Sequence, residues 1–372
     1  MMSRLRLCTV TAAVAICAAL APLSGATAQQ PTAINRGVVE IETSSTAGIS
    51  VRIAEDLANL IDDGATRRVV PVVGKGSLQN LLDLKYLRGI DMAILQTDVV
   101  DYAKEQQLIP GLESSFTYIA KLYNEEFHLL AGADIKSVAD LANRKVNFDL
   151  RGSGTAITAS RLFDLLNVPV TVVNDSQEVA LDKLRKGEIA ALAFVAGKPA
   201  PLFARLRGDD GLHFVAVPFN PGANTAYVPA RLTAADYPGL VSQGRSVDTI
   251  AVGSVLAVVE LRQLPERYRN VANFVDVFFT GFQSLLTPGH HPKWQEVNLA
   301  AELPGWRRYA PAEQWLQRNM QIVKSPSSDE LRSMFSRFVD ERRQAMGGAP
   351  MGQQDKDALF RQFQSWQRDQ TQ

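Results

Sequence analysis

The stretch Lys145-Val146-Asn147-Phe148-Asp149-Leu150-Arg151-Gly152-Ser153-Gly154-Thr155 decides how the rest of the chain is read. Val146, Phe148 and Leu150 alternate with Lys145, Asn147 and Asp149, the period of a strand with one apolar face. Beyond it Ala159, Leu162, Phe163 and Leu166 recur at the spacing of one helix face. A loop of small and hydroxyl residues therefore joins a strand to a helix N-terminus. Unpaired backbone N–H groups and the positive end of the helix dipole gather there and suit an anion. Gly152 and Gly154 let backbone come close to a ligand, and Ser153 and Thr155 add hydroxyl donors. Arg151 adds a planar cation that can hold a carboxylate through two bonds. An ordinary N-cap with turn glycines has the same pattern.

The same grammar recurs upstream. Val38 to Ile41 reads as a strand, Thr43-Ser44-Ser45-Thr46-Ala47-Gly48 as its loop, and Ile53, Leu57, Leu60 and Ile61 as a helix face. Val69 to Val73 is a second strand, and Pro71 within it predicts an edge position or a short strand. Gly74-Lys75-Gly76-Ser77 caps a helix carrying Leu78, Leu81, Leu82 and Leu84. Gly89 then leads into a buried strand, Ile90 to Leu95, that ends in polar Gln96-Thr97-Asp98. The second half repeats this outline. Ser137 and Asp140 make a variant capping box, Val170 to Val173 is a strand, and Gly187 leads into the buried run Ile189 to Phe194. Gly197-Lys198-Pro199 follows that run.

Short strands alternating with helices predict an α/β fold with mainly parallel sheets. The repeated order predicts two similar lobes. In such sheets ligands sit beyond the C-terminal strand ends. The Thr43–Gly48 loop, Gln96–Asp98, the Arg151 loop and Gly197–Pro199 would then line one cleft. The expected division is a leader over 1–28, the first lobe over 29–132 and 223–310, and the second over 133–222. Phe127–Ala131 and Val252–Val258 would be the strands nearest the crossings. A helical extension would occupy 311–372, with helices over Glu313–Val323, Ser328–Ala345 and Asp355–Thr371, and dock on the body through Leu359, Phe360, Phe363 and Trp366.

Bulk features exclude several classes. Arg4 and Arg6, the apolar run Leu7–Leu20 and Ala26-Thr27-Ala28 predict a cleaved secretory leader, hence export. Both cysteines, Cys8 and Cys17, lie inside it. The remainder can form neither a disulfide nor a thiolate site. The chain has 39 Lys+Arg and 39 Asp+Glu, so no basic field invites nucleic acid.

Taken together, these segments resemble the TAXI-type solute receptors of tripartite ATP-independent periplasmic (TRAP) transporters. The likeness is carried by Gly89–Asp98, Leu122-Tyr123-Asn124-Glu125-Glu126-Phe127-His128-Leu129, Lys136–Leu141, Lys145-Val146, Gly152-Ser153-Gly154-Thr155, Tyr237-Pro238-Gly239 and Pro304–Tyr309. It implies a two-lobe periplasmic binding protein of type II-like fold that closes on a small carboxylate, such as glutamate, another amino acid, or a 2-oxo or dicarboxylic acid. It implies delivery to a TRAP permease by a monomer with no cofactor, no metal and no catalytic residue. Ser153, Gly154 and Thr155 would hold the carboxylate. Gln96, Thr97 and Asp98 would lie across the cleft, with Asp98 available to a ligand amino group. Ser45, Thr46, Arg151, Gly152 and Lys198 complete the expected site. Two departures bear on the ligand: the first loop lacks the family's aromatic pair, and Arg151 stands where a proline is usual.

Three other readings stay open. A hydrolase would need a nucleophile with a partnered histidine, yet Ser153 is outside a Gly-x-Ser-x-Gly frame and His128, His213, His290 and His291 show no such pairing. His128 is expected to be a satisfied core residue and His290-His291 a loop. Asp62-Asp63 and Asp209-Asp210 are expected turns. A sensory protein presenting its ligand to a membrane kinase would use the same fold. An oxyanion receptor would suit the Gly-Ser-Gly-Thr loop, although Asp98 opposes a polyanion.

Overall fold

The computed structural model describes residues 37–208, 211–219 and 226–319, with a few helical positions between 335 and 360. The expected leader, Asp209-Asp210 and most of the three C-terminal helices lie outside the described residues.

A ten-stranded sheet runs through the molecule in the order β2-β1-β3-β10-β4-β7-β5-β6. Its strands are β1 (Val38–Thr43), β2 (Arg68–Val73), β3 (Met92–Gln96), β4 (Phe116–Gly132), β5 (Lys145–Asn147), β6 (Thr171–Val173), β7 (Ala191–Ala196) and β10 (Ser246–Val259). Off this path, β8 (Leu212–Phe214) pairs with β4 and β9 (Tyr227–Thr233) with β10. β1 is parallel to β2 and β3, and β5 is parallel to β6 and β7. Between these two parallel trios lie the antiparallel β10 and β4. The mixed α/β class is as expected, with two similar halves. β3 and β7, the two strands entered through Gly89 and Gly187, take matching positions beside the central pair. Pro71 is in β2, at the sheet edge, where its missing N–H breaks no ladder bond.

Helices cover both faces of each trio. In the first half, α1 (Ser50–Ile61), α7 (Pro265–Leu285) and α8 (Ala310–Arg318) pack on one face. The other face carries α2 (Ser77–Tyr86), α3 (Thr97–Glu105) and the short α4 (Leu112–Ser115). In α7, Val271, Phe274, Phe278 and Phe282 recur at helical spacing and are buried. In the second half, α5 (Gly154–Leu165) and α6 (Gln177–Arg185) lie on opposite faces. Along β7, Ala191, Ala193 and Val195 enter one core while Leu192, Phe194 and Ala196 enter the other. A strand buried on both faces loses the apolar–polar alternation of a surface strand.

Three local features refine the expected elements. The strand at 145 ends at Asn147, because Asp149 turns left-handed at φ 66° and Ser153 N bonds Leu150 O at 3.0 Å. Leu150 is accordingly exposed. The Ser137–Asp140 capping box is present, but it opens a single 3₁₀ turn, Val138–Leu141. Asp63 accepts backbone bonds from Ala65, Thr66 and Arg67, which makes it a turn residue.

β4 and β10 run unbroken through both halves. Their register shifts between Gly253 and Val255, opposite Asn124 and Lys121. A bulge of this kind bends and twists a strand pair. Beside it, buried Lys293 donates to Glu126 at 2.6 Å and to Glu296 at 2.7 Å, and Glu296 accepts from Asn124 N at 3.1 Å. Trp294 Nε1 and His291 N both bond Asp56 of α1. The 3₁₀ segment Pro292–Glu296 thus straps the bulge to the first half. His128 is buried, with Tyr237 OH at 2.7 Å from Nε2 and Phe194 O at 3.2 Å from Nδ1. Burial pushes its pKa down to about 3, so it is a neutral core residue.

Candidate functional site

The strand ends of the two trios face each other across the seam between α2–α3 and α5. Backbone rules place them there: parallel strands feeding helices put all their C-terminal loops on one edge. At the end of β3, Gln96 N bonds Ser77 Oγ at 3.0 Å, which fixes the start of α3 against α2. Gln96 Nε2 donates to Glu125 Oε2 at 2.6 Å, and Gln96 Oε1 is buried without a hydrogen-bond partner among the described residues. Burial, foremost, pushes the Glu125 carboxyl up to about 7, against the bond from Gln96. Asp98 is fully buried in the first turn of α3. Its Oδ2 accepts from Thr158 Oγ1 at 2.7 Å and from Tyr227 OH at 3.3 Å. Burial raises its pKa to about 6, with Thr158, Arg161 and Tyr227 pulling the other way.

On the second half, Ser153 is the N-cap of α5 and accepts from Ala156 N at 3.1 Å. Thr155 Oγ1 accepts from Val195 N of β7 at 3.0 Å. Gly152 O accepts from Gln79 N of α2 at 3.0 Å, so this loop touches the opposite half through backbone. A Cβ on Gly154 would overlap Gln96 Oε1, and one on Gly76 would stand 3.0 Å from Ser153 Cα. Glycine at both positions lets the halves meet this closely.

The other expected residues are spread wider. Ser45 is half-buried and Thr46 exposed, while Ala47 between them and the second half is buried against Phe194 and Ala200. Thr97 is half-buried beside Gly253. Arg151 is exposed and points no hydrogen bond or ion pair at a described residue. Lys198 Nζ bonds Arg231 O at 2.6 Å and Asp236 Oδ2 at 3.1 Å. Its backbone N–H reaches Glu126 Oε2 at 3.1 Å.

The structure therefore gathers Gln96, Asp98, Gly152, Ser153, Gly154 and Thr155 at one seam. Ser45, Thr46 and Lys198 stand toward its margin. Thr158, Tyr227, Glu125 and Arg161 belong to the same seam and escaped the sequence reading. Thr158 carried a signal, since it is one helical turn beyond Gly154 and Thr155. Glu125 carried one too, inside Leu122–Leu129. Tyr227 is 129 residues from Asp98, and nothing local connects them.

A family model described as the NMT1-like family matches residues 41–266. Among solved structures, the chain is similar to the periplasmic binding protein BugD, at 13% identity over 77% of this chain and 94% of that one, TM-score 0.46. It is similar to the alkanesulfonate-binding protein SsuA from Xanthomonas axonopodis pv. citri, solved with MOPS, at 14% identity, 77% and 92% coverage, TM-score 0.43. A TctC solute binding protein from Polaromonas gives 15% identity, 77% and 89% coverage, TM-score 0.40.

Proposed function

The chain belongs to the NMT1-like family, and we propose on that premise that it is a periplasmic solute-binding receptor for a small carboxylate. In this reading the two halves of the sheet are lobes and the seam is the ligand cleft. The observation that carries it is the meeting of strand-end loops from both parallel trios, β3–α3 from one and β5–α5 from the other, on a single buried seam. The hinge lies at the bulge, near Lys121–Asn124 in β4 and Gly253–Val255 in β10. The crossing near 132 expected from sequence lies on the second-half side of this hinge, and the one near 222 lies outside the described residues.

The solute's carboxylate would enter between the N-terminus of α5 and the Arg151 loop. Ser153, Gly154 and Thr155 would supply the helix-start donors, and Arg151, exposed at the rim, would close on a second oxygen. Gln96, Thr97 and Asp98 would meet the solute from the first lobe, with Ser45, Thr46, Gly152 and Lys198 at the margins. A leader over 1–28 would carry the chain to the periplasm as a monomer without cofactor, and a TRAP-type permease would receive the solute. Buried Asp98 and Glu125 disfavour phosphate or another polyanion.

The test is a thermal-shift panel of amino acids, 2-oxo acids, dicarboxylates and phosphate on the leader-free chain, confirmed by calorimetry. A saturating carboxylate should raise the midpoint, since a ligand that binds only the native state stabilises it. Arg151→Ala should weaken that ligand by about tenfold to a hundredfold, the worth of a charge-assisted contact. Stabilisation by phosphate alone sinks the carboxylate reading. A folded chain that answers to nothing points to presentation of another ligand to a membrane sensor.

A further inference from the structure

The contacts across the seam are made by the protein itself, and they are of several kinds. Asp98 of α3 accepts from Thr158 of α5 and Tyr227 of β9. Gln79 N of α2 donates to Gly152 O, and Leu202 N donates to Ala47 O at 3.3 Å. Arg161 Nη2 of α5 bonds Glu105 Oε1 of α3 at 3.0 Å. Around them Gly154 sits against Gln96 and Gly76 against Ser153, each too close to admit even a Cβ without displacement. A solute cannot slip between surfaces in such contact. It has to part them.

We propose that the seam is a latch: the hydrogen bonds from Thr158 and Tyr227 to Asp98, flanked by Gln79–Gly152 and Glu105–Arg161, hold the two halves closed on their own, and a solute competes with them. This rests on the reading of the halves as lobes that part, but its test needs no ligand. Asp98 is the acceptor at the centre, so closure carries a proton dependence. The groups that face it are Arg161 of α5, Tyr227 of β9 and Glu125 of β4, with Glu105 and Asp101 of α3 acting through Arg161. Burial raises the Asp98 pKa, so the closed form is favoured at low pH and weakens as pH rises through about 6.

The experiment is small-angle X-ray scattering on the leader-free chain without added solute at pH 5.5 and pH 8, with far-UV circular dichroism as the control for folding. The wild type should be compact at pH 5.5 and gain an open population at pH 8. The double variant Thr158→Val/Tyr227→Phe removes both donors and should raise the open-to-closed ratio about tenfold at either pH. Thr158→Ser keeps its hydroxyl and should scatter as the wild type does. Asp98→Asn should stay compact and lose much of the pH dependence. A wild type already open at pH 5.5, or a folded double variant indistinguishable from it at both pH values, overturns the latch. A failed solute panel with a working latch would instead strike at the transport reading alone.

Discussion

The junctions β1–α1 and β5–α5 share one sequence grammar, strand, small hydroxyl loop, helix, and the structure uses them differently. In the first, Ser44 N bonds Ser50 Oγ at 2.9 Å and Ser44 Oγ lies 2.6 Å from it, so the hydroxyls close the loop on itself. The N-cap of α1 is Ile49, which offers no side-chain cap. In the second, Ser153 caps the helix and Thr155 ties it to β7. The difference teaches where a pattern of small hydroxyl residues stops being informative. It marks a strand-to-helix junction at the C-terminal strand ends of an α/β sheet. Whether each hydroxyl serves a ligand or the protein's own backbone depends on neighbours from elsewhere in the chain.

The junctions can be compared only while the bulge holds both halves in place, and the largest expected effect is there. Lys293→Met strands the buried Glu126 carboxylate, which burial already pushes up to about 7. Breaking such a pair typically costs about 3–5 kcal/mol, to be read as a fall in the urea midpoint at pH 7.5. An unchanged midpoint would mean that the strap is not needed. Between the junctions themselves, the sharpest contrast is alanine at their glycines. Gly154→Ala forces Gln96 off its bond to Glu125, and overpacking of this kind costs about 1–3 kcal/mol. Gly48→Ala meets Phe194 at an ordinary 3.5 Å and should be within about 0.5 kcal/mol of wild type. Equal losses at the two sites would erase the distinction between a tight seam and an ordinary loop.

Much of the architecture was legible because it is local. The β5–α5 junction, the edge position of Pro71, the Ser137 capping box and the two glycine-led strands each rest on residues within a few positions of one another. The central pair was not. Asn124-Glu125-Glu126 interrupts the apolar pattern of β4 and Gly253-Ser254 that of β10, so in the sequence each long strand shows only as fragments. Their polar residues are satisfied from far away, Glu126 by Lys293 at 167 positions' separation and Glu125 by Gln96 at 29. The site divides the same way. The loops at the seam could be read from spacing, but the partners of Asp98 are 60 and 129 residues distant, and a lone lysine in a Pro-rich loop gives no hint of burial.

Asp149 separates the two junctions by pH. It is buried in the loop of the second junction, and burial raises its pKa to about 6, against bonds from Leu150, Gln177 and Ser153. A carboxyl raised on folding contributes relative stability that is full below its unfolded pKa of 3.8 and lost as pH rises through about 6. Asp149→Asn should recover on the order of 2 kcal/mol above pH 7 relative to pH 4. At the first junction, burial also raises Glu42, to about 7, so Glu42→Gln should flatten the higher part of the same curve. Urea titrations at half-unit pH steps distinguish the two. If both variants keep the wild-type slope, other groups carry it.

Ser153→Ala should cost about 1 kcal/mol, the usual worth of an N-cap hydroxyl. Ser45→Ala, in the uncapped first loop, should cost less than half as much in the same urea titration. Arg151→Ala should have the smallest effect on folding. The side chain is exposed and bonds no described residue, so its loss should leave the midpoint within about 0.5 kcal/mol. That silence is what makes it informative. A residue that bonds no described part of the fold, at the rim of a junction whose hydroxyls the fold does use, is one whose loss can report on a ligand. A thermal midpoint unchanged without solute and lowered with a saturating carboxylate would assign Arg151 to the ligand. A midpoint lowered in both conditions would give it a structural partner and return the second junction to the plain role of the first.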